Sequence, residues 1–127
     1  MFTRGGRPVY LNLAKIHLPI SGIISIMHRV FGLLLALSIP FFTLLFGLSL
    51  QSEAGYNQAL TILNSMWLTP IYILLIWSFI HHFFAGIRYL LLDVEIGVEK
   101  EISQKSSWLV MYAAIAVSLI ICAGIWL

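Results

Sequence analysis

The sequence carries two short clusters of polar and ionisable residues inside otherwise apolar stretches. The first is Ser25-Ile26-Met27-His28-Arg29-Val30-Phe31-Gly32, and the second, His81 to Asp93, contains two adjacent histidines and Arg88. An imidazole can ligate a metal, a guanidinium group can bind an anion, and a serine hydroxyl can hydrogen-bond a carbonyl group. These residue types therefore indicate a binding site for a cofactor or a small polar headgroup.

The first cluster places its polar residues together if it is helical. Ser25 and His28 then share one face, and Arg29 lies at the edge of that face. Ionisable groups in apolar segments usually face a protein interior, a cavity or a ligand. The same spacing also suits a simpler interpretation, in which Arg29 and His28 extend to lipid headgroups and Ser25 bonds its own backbone. Spacing alone leaves both interpretations open.

The second cluster predicts a helical stripe of polar and small residues: Ser78, His82, Ala85, Gly86, Tyr89 and Asp93. His82 lies six residues before Arg88, which places it about 9 Å deeper along a helix axis. A neutral imidazole at that depth needs a hydrogen-bond partner or a metal. The pair Ala85-Gly86 lets a flat group or another helix approach the backbone. A helix-packing motif with His82 bonded to a neighbouring helix is the alternative, and His81 is predicted to point elsewhere.

Together the clusters offer an imidazole of metal-ligand type, cations suited to propionates, and a Ser/Arg pair suited to a polar headgroup. This combination fits a b-type haem, which is held by an axial imidazole without covalent attachment. It equally fits a quinone, whose carbonyl groups need donors while its ring and tail need apolar walls. The single cysteine, Cys122, excludes both a disulfide framework and the C-x-x-C-H attachment of covalent haem.

The elements that must position these residues are membrane-spanning helices. Of the 127 residues, 61% are hydrophobic and 9% are charged, whereas a soluble domain carries roughly 25% charged residues. This composition excludes a soluble enzyme and a disordered chain. Charged residues are absent between Arg29 and Glu53, between Glu53 and Arg88, and after Lys105. Each interval is long enough for the ~20 helical residues that cross the hydrocarbon core.

We predict an all-α membrane protein with three transmembrane helices in a single membrane-anchor domain over 1–127, the helices lying at Ser21–Leu50, Trp67–Leu92 and Ser107–Trp126. The apolar runs lack the alternation of a spanning β-barrel. Pro19 suits a first helical turn, Ser106 or Ser107 is predicted to cap the third helix, and Pro40 should kink the first.

The positive charges predict the orientation of the chain. All seven lysines and arginines precede the first long apolar run or lie between the second and third helices, and the segment Gln51–Met66 has none. The positive-inside rule then puts the N-terminus in the cytoplasm and the C-terminus on the opposite side. Both polar clusters consequently lie near the same membrane face. Met1–Leu18 lacks the pattern of a signal peptide.

At these motifs the chain resembles the cytochrome b556 subunits of succinate dehydrogenase, the larger membrane anchor subunits of respiratory complex II. The resemblance rests on S-I-x-H-R-x-x-G followed about fifty residues later by H-x-x-x-G-x-R, with these matching segments: Arg7–Leu13, Pro19-Ile20, Ser25–Gly32, His82–Arg88 and Asp93. The spacing, the three spans and the length also agree, so the resemblance covers nearly the whole chain.

The resemblance implies a role for each matching residue. His82 matches the axial ligand of the haem iron, and the second ligand is expected from the smaller anchor subunit. Ser25 and Arg29 match positions that contact ubiquinone, and His28 matches one close to a haem propionate. Arg88 and Asp93 are expected to support the propionates or the quinone site. Tyr89 departs from the family, where histidine is frequent, which puts any propionate contact from that position in doubt.

The resemblance also implies a haem b- and ubiquinone-binding anchor, part of a multi-subunit helical bundle, that contributes to electron transfer from succinate to ubiquinone. The expected partners are the smaller anchor subunit, the iron–sulfur subunit, the flavoprotein subunit and the lipid bilayer, with no nucleic acid. The expected place is the bacterial inner membrane, with the quinone site toward the cytoplasm. No complete catalytic site is expected in this chain alone. The alternatives are a quinol:fumarate reductase anchor, a non-redox scaffold or transporter subunit, and a self-sufficient cytochrome using His28 with His82.

Overall fold

The computed structural model describes residues 3–4, 7–8 and 17–126, and the side chains of 17–125. Four α-helices make up most of this part of the chain: α1 (Ile20–Ser49), α2 (Glu53–Leu63), α3 (Thr69–Asp93) and α4 (Lys100–Trp126). A 3-10 turn at Met66–Leu68 precedes α3, and Thr3–Arg4 pairs antiparallel with Arg7–Pro8. The expectations for residues 9–13 and Lys15 lie outside the described residues.

Three of the helices are long and apolar enough to cross a membrane: Ile20–Ser49, Met66–Asp93 (with its 3-10 turn) and Lys100–Ile125. This confirms the prediction of an all-helical membrane protein with three spans. Pro19 is the N-cap of α1, and Pro40 lies inside a helix that continues through it. The orientation of the chain in the membrane stays a prediction.

The helix α2 was not predicted, because its residues fall in the segment that joins the first two spans. Ser52 caps it by accepting a hydrogen bond from the Gly55 N–H at 3.0 Å. Gly55 and Ala59, one turn apart, are buried. A Cβ on Gly55 would collide with the backbone carbonyl oxygen of Leu48, so glycine is required where α2 folds back on the end of α1.

The helix α4 begins at Lys100, seven residues before the predicted start at Ser107. Ser106 and Ser107 therefore lie inside the helix and do not cap it. Ser107 Oγ donates to the Ser103 carbonyl at 2.8 Å. An exposed ion pair between Lys105 and Glu101 at 2.7 Å, one turn apart, accompanies the additional turns. An apolar run indicates only the part of a helix that lies inside the membrane. The charged residues that extend α4 toward its N-terminus were therefore not predicted to be helical.

The bundle is held together by a seam of small and buried residues around α3, which packs against both α1 and α4. Ile24, Ala85 and Val110 form the buried core, one from each spanning helix. Small side chains at such a seam let helices approach closely in lipid. Large apolar side chains such as Leu37 and Leu44 are exposed on the outside of the bundle, as expected for a surface in contact with acyl chains.

Candidate functional site

The centre of the site is a contact between two histidines from different spans. The rings of His28 on α1 and His82 on α3 stack with their centroids 4.0 Å apart and their planes 3° from parallel. His82 Nδ1–H donates to the backbone carbonyl of His28 at 2.9 Å. Residues 54 positions apart are therefore joined, as expected if both clusters lie near the same membrane face.

Two glycines make room for the two rings. Gly32 on α1 faces the ring of His82 on α3, and Gly86 on α3 faces the ring of His28 on α1. A Cβ on Gly32 of α1 would lie 2.7 Å from His82 Cε1, closer than Cβ atoms approach other atoms in proteins, and 3.1 Å from Nδ1, a tight contact. A Cβ on Gly86 of α3 would lie 3.6 Å from His28 Nε2, an ordinary contact. The close approach of α1 and α3 thus depends on Gly32 far more than on Gly86.

The hydrogen bond to the His28 carbonyl decides which nitrogen of His82 is available for a metal. A neutral imidazole that donates from Nδ1 keeps its lone pair on Nε2. His82 Nε2 makes no hydrogen bond to a described residue and is not among the buried polar atoms without a partner. Histidines that ligate metals commonly donate their other N–H to a backbone carbonyl, which fixes the tautomer and the ring orientation. The geometry of His82 therefore fits one of the two axial ligands of a haem iron.

The same stack does not suit a haem held between His28 and His82. An iron shared by two axial imidazoles requires one nitrogen of each ring to point at it from opposite sides of a porphyrin. Here the rings lie face to face with centroids 4.0 Å apart, so no porphyrin fits between them. The arrangement therefore disfavours a self-sufficient cytochrome that uses His28 with His82.

Ser25 and Arg29 lie one turn apart on α1. Arg29 is exposed and Ser25 half-buried. The hydroxyl groups of Ser38, Thr43 and Ser78 donate to backbone carbonyls of their own helices. The Ser25 hydroxyl makes no such bond to any described residue, which gives no support to the interpretation in which Ser25 bonds its own backbone.

Arg88 and Asp93 are not brought to the histidine pair. Arg88 is 6% exposed and is directed at α4, where its guanidinium group donates to Ser103 and Ser106. Asp93 is the last residue of α3 and is exposed. It forms no ion pair with a residue of the described segments. The structure therefore gives neither residue a contact with His28 or His82.

The buried part of α3 extends beyond the predicted stripe and includes His81 and Arg88. The buried residues of the helix are Ser78, His81, Ala85 and Arg88, and Arg88 bonds α4. His82, through its contacts with His28, faces α1. Helical spacing alone could not predict this, because it does not show where the neighbouring helices pack.

The complete burial of His81 was not predicted from the sequence. Its side chain is 0% exposed, and neither ring nitrogen has a hydrogen-bond partner among the described residues. Phe31 and Trp77 surround it, with ring centroids 5.1 Å and 5.8 Å away. A signal was present in the sequence, because His81 lies three residues after Ser78 and four before Ala85, a helical spacing shared with small residues.

Tyr89 fills the side of the site nearest Arg88. Its ring packs edge-on against His28 at 5.1 Å, and the Arg88 guanidinium lies 5.3 Å from the ring centroid. Its hydroxyl is buried without a partner. Tyr89 thus provides packing for His28, and no polar contact to a described residue.

Fold and site together define a small helical membrane protein with three spans and an imidazole pair between two of them. A sequence model of the family described as the succinate dehydrogenase/fumarate reductase transmembrane subunit matches residues 3–122. The chain belongs to this family.

Three curated relatives match most of the chain. The succinate dehydrogenase cytochrome b556 subunit of Coxiella burnetii (strain RSA 493 / Nine Mile phase I) is 34% identical over 125 residues, 95% of this chain and 96% of the relative. The protein of the same name from Paracoccus denitrificans is 34% identical, over 82% of this chain and 80% of the relative. The succinate dehydrogenase cytochrome b560 subunit of Reclinomonas americana is 35% identical, over 75% of this chain and 69% of the relative. These relatives identify the chain as a membrane anchor of the succinate dehydrogenase cytochrome b type.

Proposed function

We propose that the chain binds haem b and ubiquinone as the larger anchor subunit of a bacterial succinate dehydrogenase. The observation that carries the proposal is the hydrogen bond from His82 Nδ1 to the His28 carbonyl, which leaves Nε2 for the iron. The smaller anchor subunit would supply the second axial ligand. A bound haem would supply one-electron redox chemistry within the bundle.

His28 has two roles in this proposal. Its backbone carbonyl holds the His82 ring in one tautomer and one orientation, and its own ring covers one face of His82. A neighbouring haem propionate would be within reach of an imidazole at this position, as the resemblance to the family implies. Arg88 and Asp93 keep the supporting roles predicted for them only if another subunit brings the cofactor to them.

Ser25 and Arg29 would bind ubiquinone through its carbonyl oxygens. Reduction places negative charge on a quinone oxygen before a proton arrives, and a fixed cation stabilises that charge most where water is scarce. Arg29 would supply the cation and Ser25 a hydrogen bond. Electrons would come from succinate through the flavoprotein and the iron–sulfur subunits. The quinone site would lie on the cytoplasmic side, where the positive-inside rule places both residues.

The haem assignment is tested by a pair of adjacent histidines. His82→Leu in the assembled complex should abolish or strongly alter the b-type absorption spectrum in a pyridine haemochrome assay. His81→Phe is the matched control, because phenylalanine keeps the contacts with Phe31 and Trp77 and leaves His82 in place. An unchanged spectrum in the His82 variant would remove the assignment, and colourless wild-type complex would favour a non-redox scaffold.

The quinone assignment is tested by two activities of one preparation. Arg29→Gln should slow succinate-dependent quinone reduction by roughly 100- to 1,000-fold and leave reduction of an artificial dye by the soluble subunits intact. Lys105→Gln is the control, because it removes a cation that is 75% exposed and paired with Glu101. Equal loss of both activities in an assembled Arg29→Gln complex contradicts the assignment. The family description names fumarate reductases as well, and quinol-dependent fumarate reduction exceeding succinate oxidation would favour that second candidate.

A further inference from the structure

Arg88 is a buried cation whose partners are all neutral. Its side chain is 6% exposed. Nε–H donates to Ser106 Oγ at 2.9 Å, and Nη2 donates to the Ser103 carbonyl at 3.1 Å and to Ser103 Oγ at 2.8 Å. Nη1 bonds no described residue. Within the described segments the one ion pair joins Lys105 to Glu101, so no carboxylate there neutralises Arg88.

Such an arrangement is incomplete without an anion. A charge that leaves water is stable in a protein only when it is paired, and neutral hydroxyl and carbonyl dipoles replace water without cancelling the charge. The Tyr89 ring, 5.3 Å from the guanidinium carbon, adds a favourable cation–π contact and leaves the net charge unchanged. Ser103 and Ser106 of α4 therefore fix the orientation of the guanidinium group, and the anion that neutralises it must be another group.

A cavity of about 440 Å³ lies beside the guanidinium group, between α3 and α4. This is within the range of ~300–1,000 Å³ found for small-molecule sites. Apart from Arg88 and Ser106 its walls are apolar, including Phe84, Leu91 and Leu109. Leu109 is 68% exposed, so the cavity opens on the outside of the bundle. Neither His28 nor His82 lines it, which separates it from the proposed haem site.

The end of α3 shapes the rim of this cavity. Glu95 has a positive φ of 62°, and the bonds from Glu95 N–H to Leu92 and from Ile96 N–H to Leu91 close the helix as a Schellman motif. This motif brings Ile96 back beside Leu91, and both line the cavity. Arg88 lies five residues before the end of α3 at Asp93, about 7.5 Å along the axis. In a span of this length it is at the boundary of the hydrocarbon core and the headgroups.

We propose that Arg88 binds the phosphate group of an anionic phospholipid whose acyl chain occupies the apolar cavity. A phospholipid combines the two properties that the site requires, an oxyanion at headgroup depth and an apolar body beneath it. A lipid with net negative charge is favoured over a zwitterionic one, because a second cation in its headgroup would oppose Arg88. The proposal is independent of haem and quinone binding.

The test measures lipid retention by the assembled complex. Complexes in nanodiscs of phosphatidylcholine with a minor fraction of phosphatidylglycerol are extracted in mild detergent, and the retained phosphatidylglycerol is counted by native mass spectrometry. Arg88→Gln should reduce the apparent affinity for phosphatidylglycerol by roughly 10- to 100-fold, the effect of losing a charge-assisted hydrogen bond. Lys105→Gln, which removes an exposed cation near the start of α4, should retain phosphatidylglycerol as the wild type does.

A second variant keeps the test decisive if Arg88→Gln does not assemble. Leu109→Trp fills the mouth of the cavity without touching the guanidinium group and should also release phosphatidylglycerol. Ile120→Trp, at a position 70% exposed on the same helix and away from the cavity, should not. Phosphatidylglycerol retained by Leu109→Trp overturns the proposal.

The absorption spectrum of the same preparations distinguishes a lipid phosphate from the other anions that could pair with Arg88, a haem propionate or a carboxylate of another subunit. Loss of phosphatidylglycerol with an unchanged b-type spectrum supports the proposal. Loss of the b-type spectrum from Arg88→Gln with lipid retention unchanged would identify the anion as a haem propionate and overturn the proposal. If Arg88→Gln retains both phosphatidylglycerol and the b-type spectrum, a carboxylate of another subunit neutralises Arg88, and the proposal is overturned.

Discussion

Replacing Gly32 with alanine would push a methyl group into the ring of His82. The added Cβ would lie 2.7 Å from Cε1 and 3.1 Å from Nδ1, whereas carbon atoms are most stable at about 3.5–4.0 Å. The ring would have to retreat by about 0.8 Å to reach that separation. The retreat strains the 2.9 Å bond from Nδ1 to the His28 carbonyl and the 4.0 Å stack on the His28 ring.

The magnitude follows from these contacts. Overpacking of a fitted interior costs roughly 1–3 kcal/mol. If that cost falls on the orientation that binds iron, the affinity for haem should fall by roughly 5- to 150-fold. The assay is haem content per assembled complex, together with the position and width of the reduced absorption band, after graded extraction of haem.

Two other glycines provide a graded control within the same bundle. Gly86→Ala places its Cβ 3.6 Å from His28 Nε2, and Gly47→Ala, further along α1, meets nothing within 4 Å. Haem retention should therefore decrease strongly in Gly32→Ala, slightly in Gly86→Ala, and not at all in Gly47→Ala. The reasoning is refuted if Gly32→Ala and Gly47→Ala keep haem equally well and give the same spectrum.

Three further predictions concern the frame around the site. Glu95→Gly should raise the unfolding free energy by about 0.5–1 kcal/mol, because glycine adopts a positive φ without strain, and resistance to unfolding in mixed detergent micelles measures it. Gly55→Ala should loosen α2 from α1 through the collision with the Leu48 carbonyl, and faster amide hydrogen exchange confined to α2 is the expected sign; unchanged exchange contradicts it. Ser107→Leu should destabilise the packing of α4 in the bundle by roughly 1–3 kcal/mol, since Ser107 is 0% exposed, and a variant with wild-type thermal stability would contradict this packing.

The sequence predicted the three spans because charge-free intervals and the hydrocarbon thickness leave little choice. Other features depend on information that hydropathy does not contain. The helix α2 lies outside the apolar runs, and its signals were local: Ser52 as a cap and Gly55 against α1. The start of α4 at Lys100 depends on helix formation in charged residues.

The site was predicted in part. His28 and His82 were placed near one membrane face from the connectivity alone, and the structure brings their rings together. The full buried surface of α3 could not be predicted, because a helical repeat does not say which side of the helix each neighbouring helix contacts. For the same reason the burial of His81 and the direction of Arg88 toward α4 were not predicted. Gly32 belonged to the recognised motif, and its role in seating His82 required the distance between helices.

The most direct measurement of the central claim is a density map of the assembled complex, with all subunits and bound cofactor. The account predicts a haem whose iron is bonded to His82 Nε2, with Nδ1 of the same ring on the His28 carbonyl and the second ligand from another chain. Iron bonded to His28 or His81, or His82 packed against the bundle with no porphyrin beside it, would contradict the account.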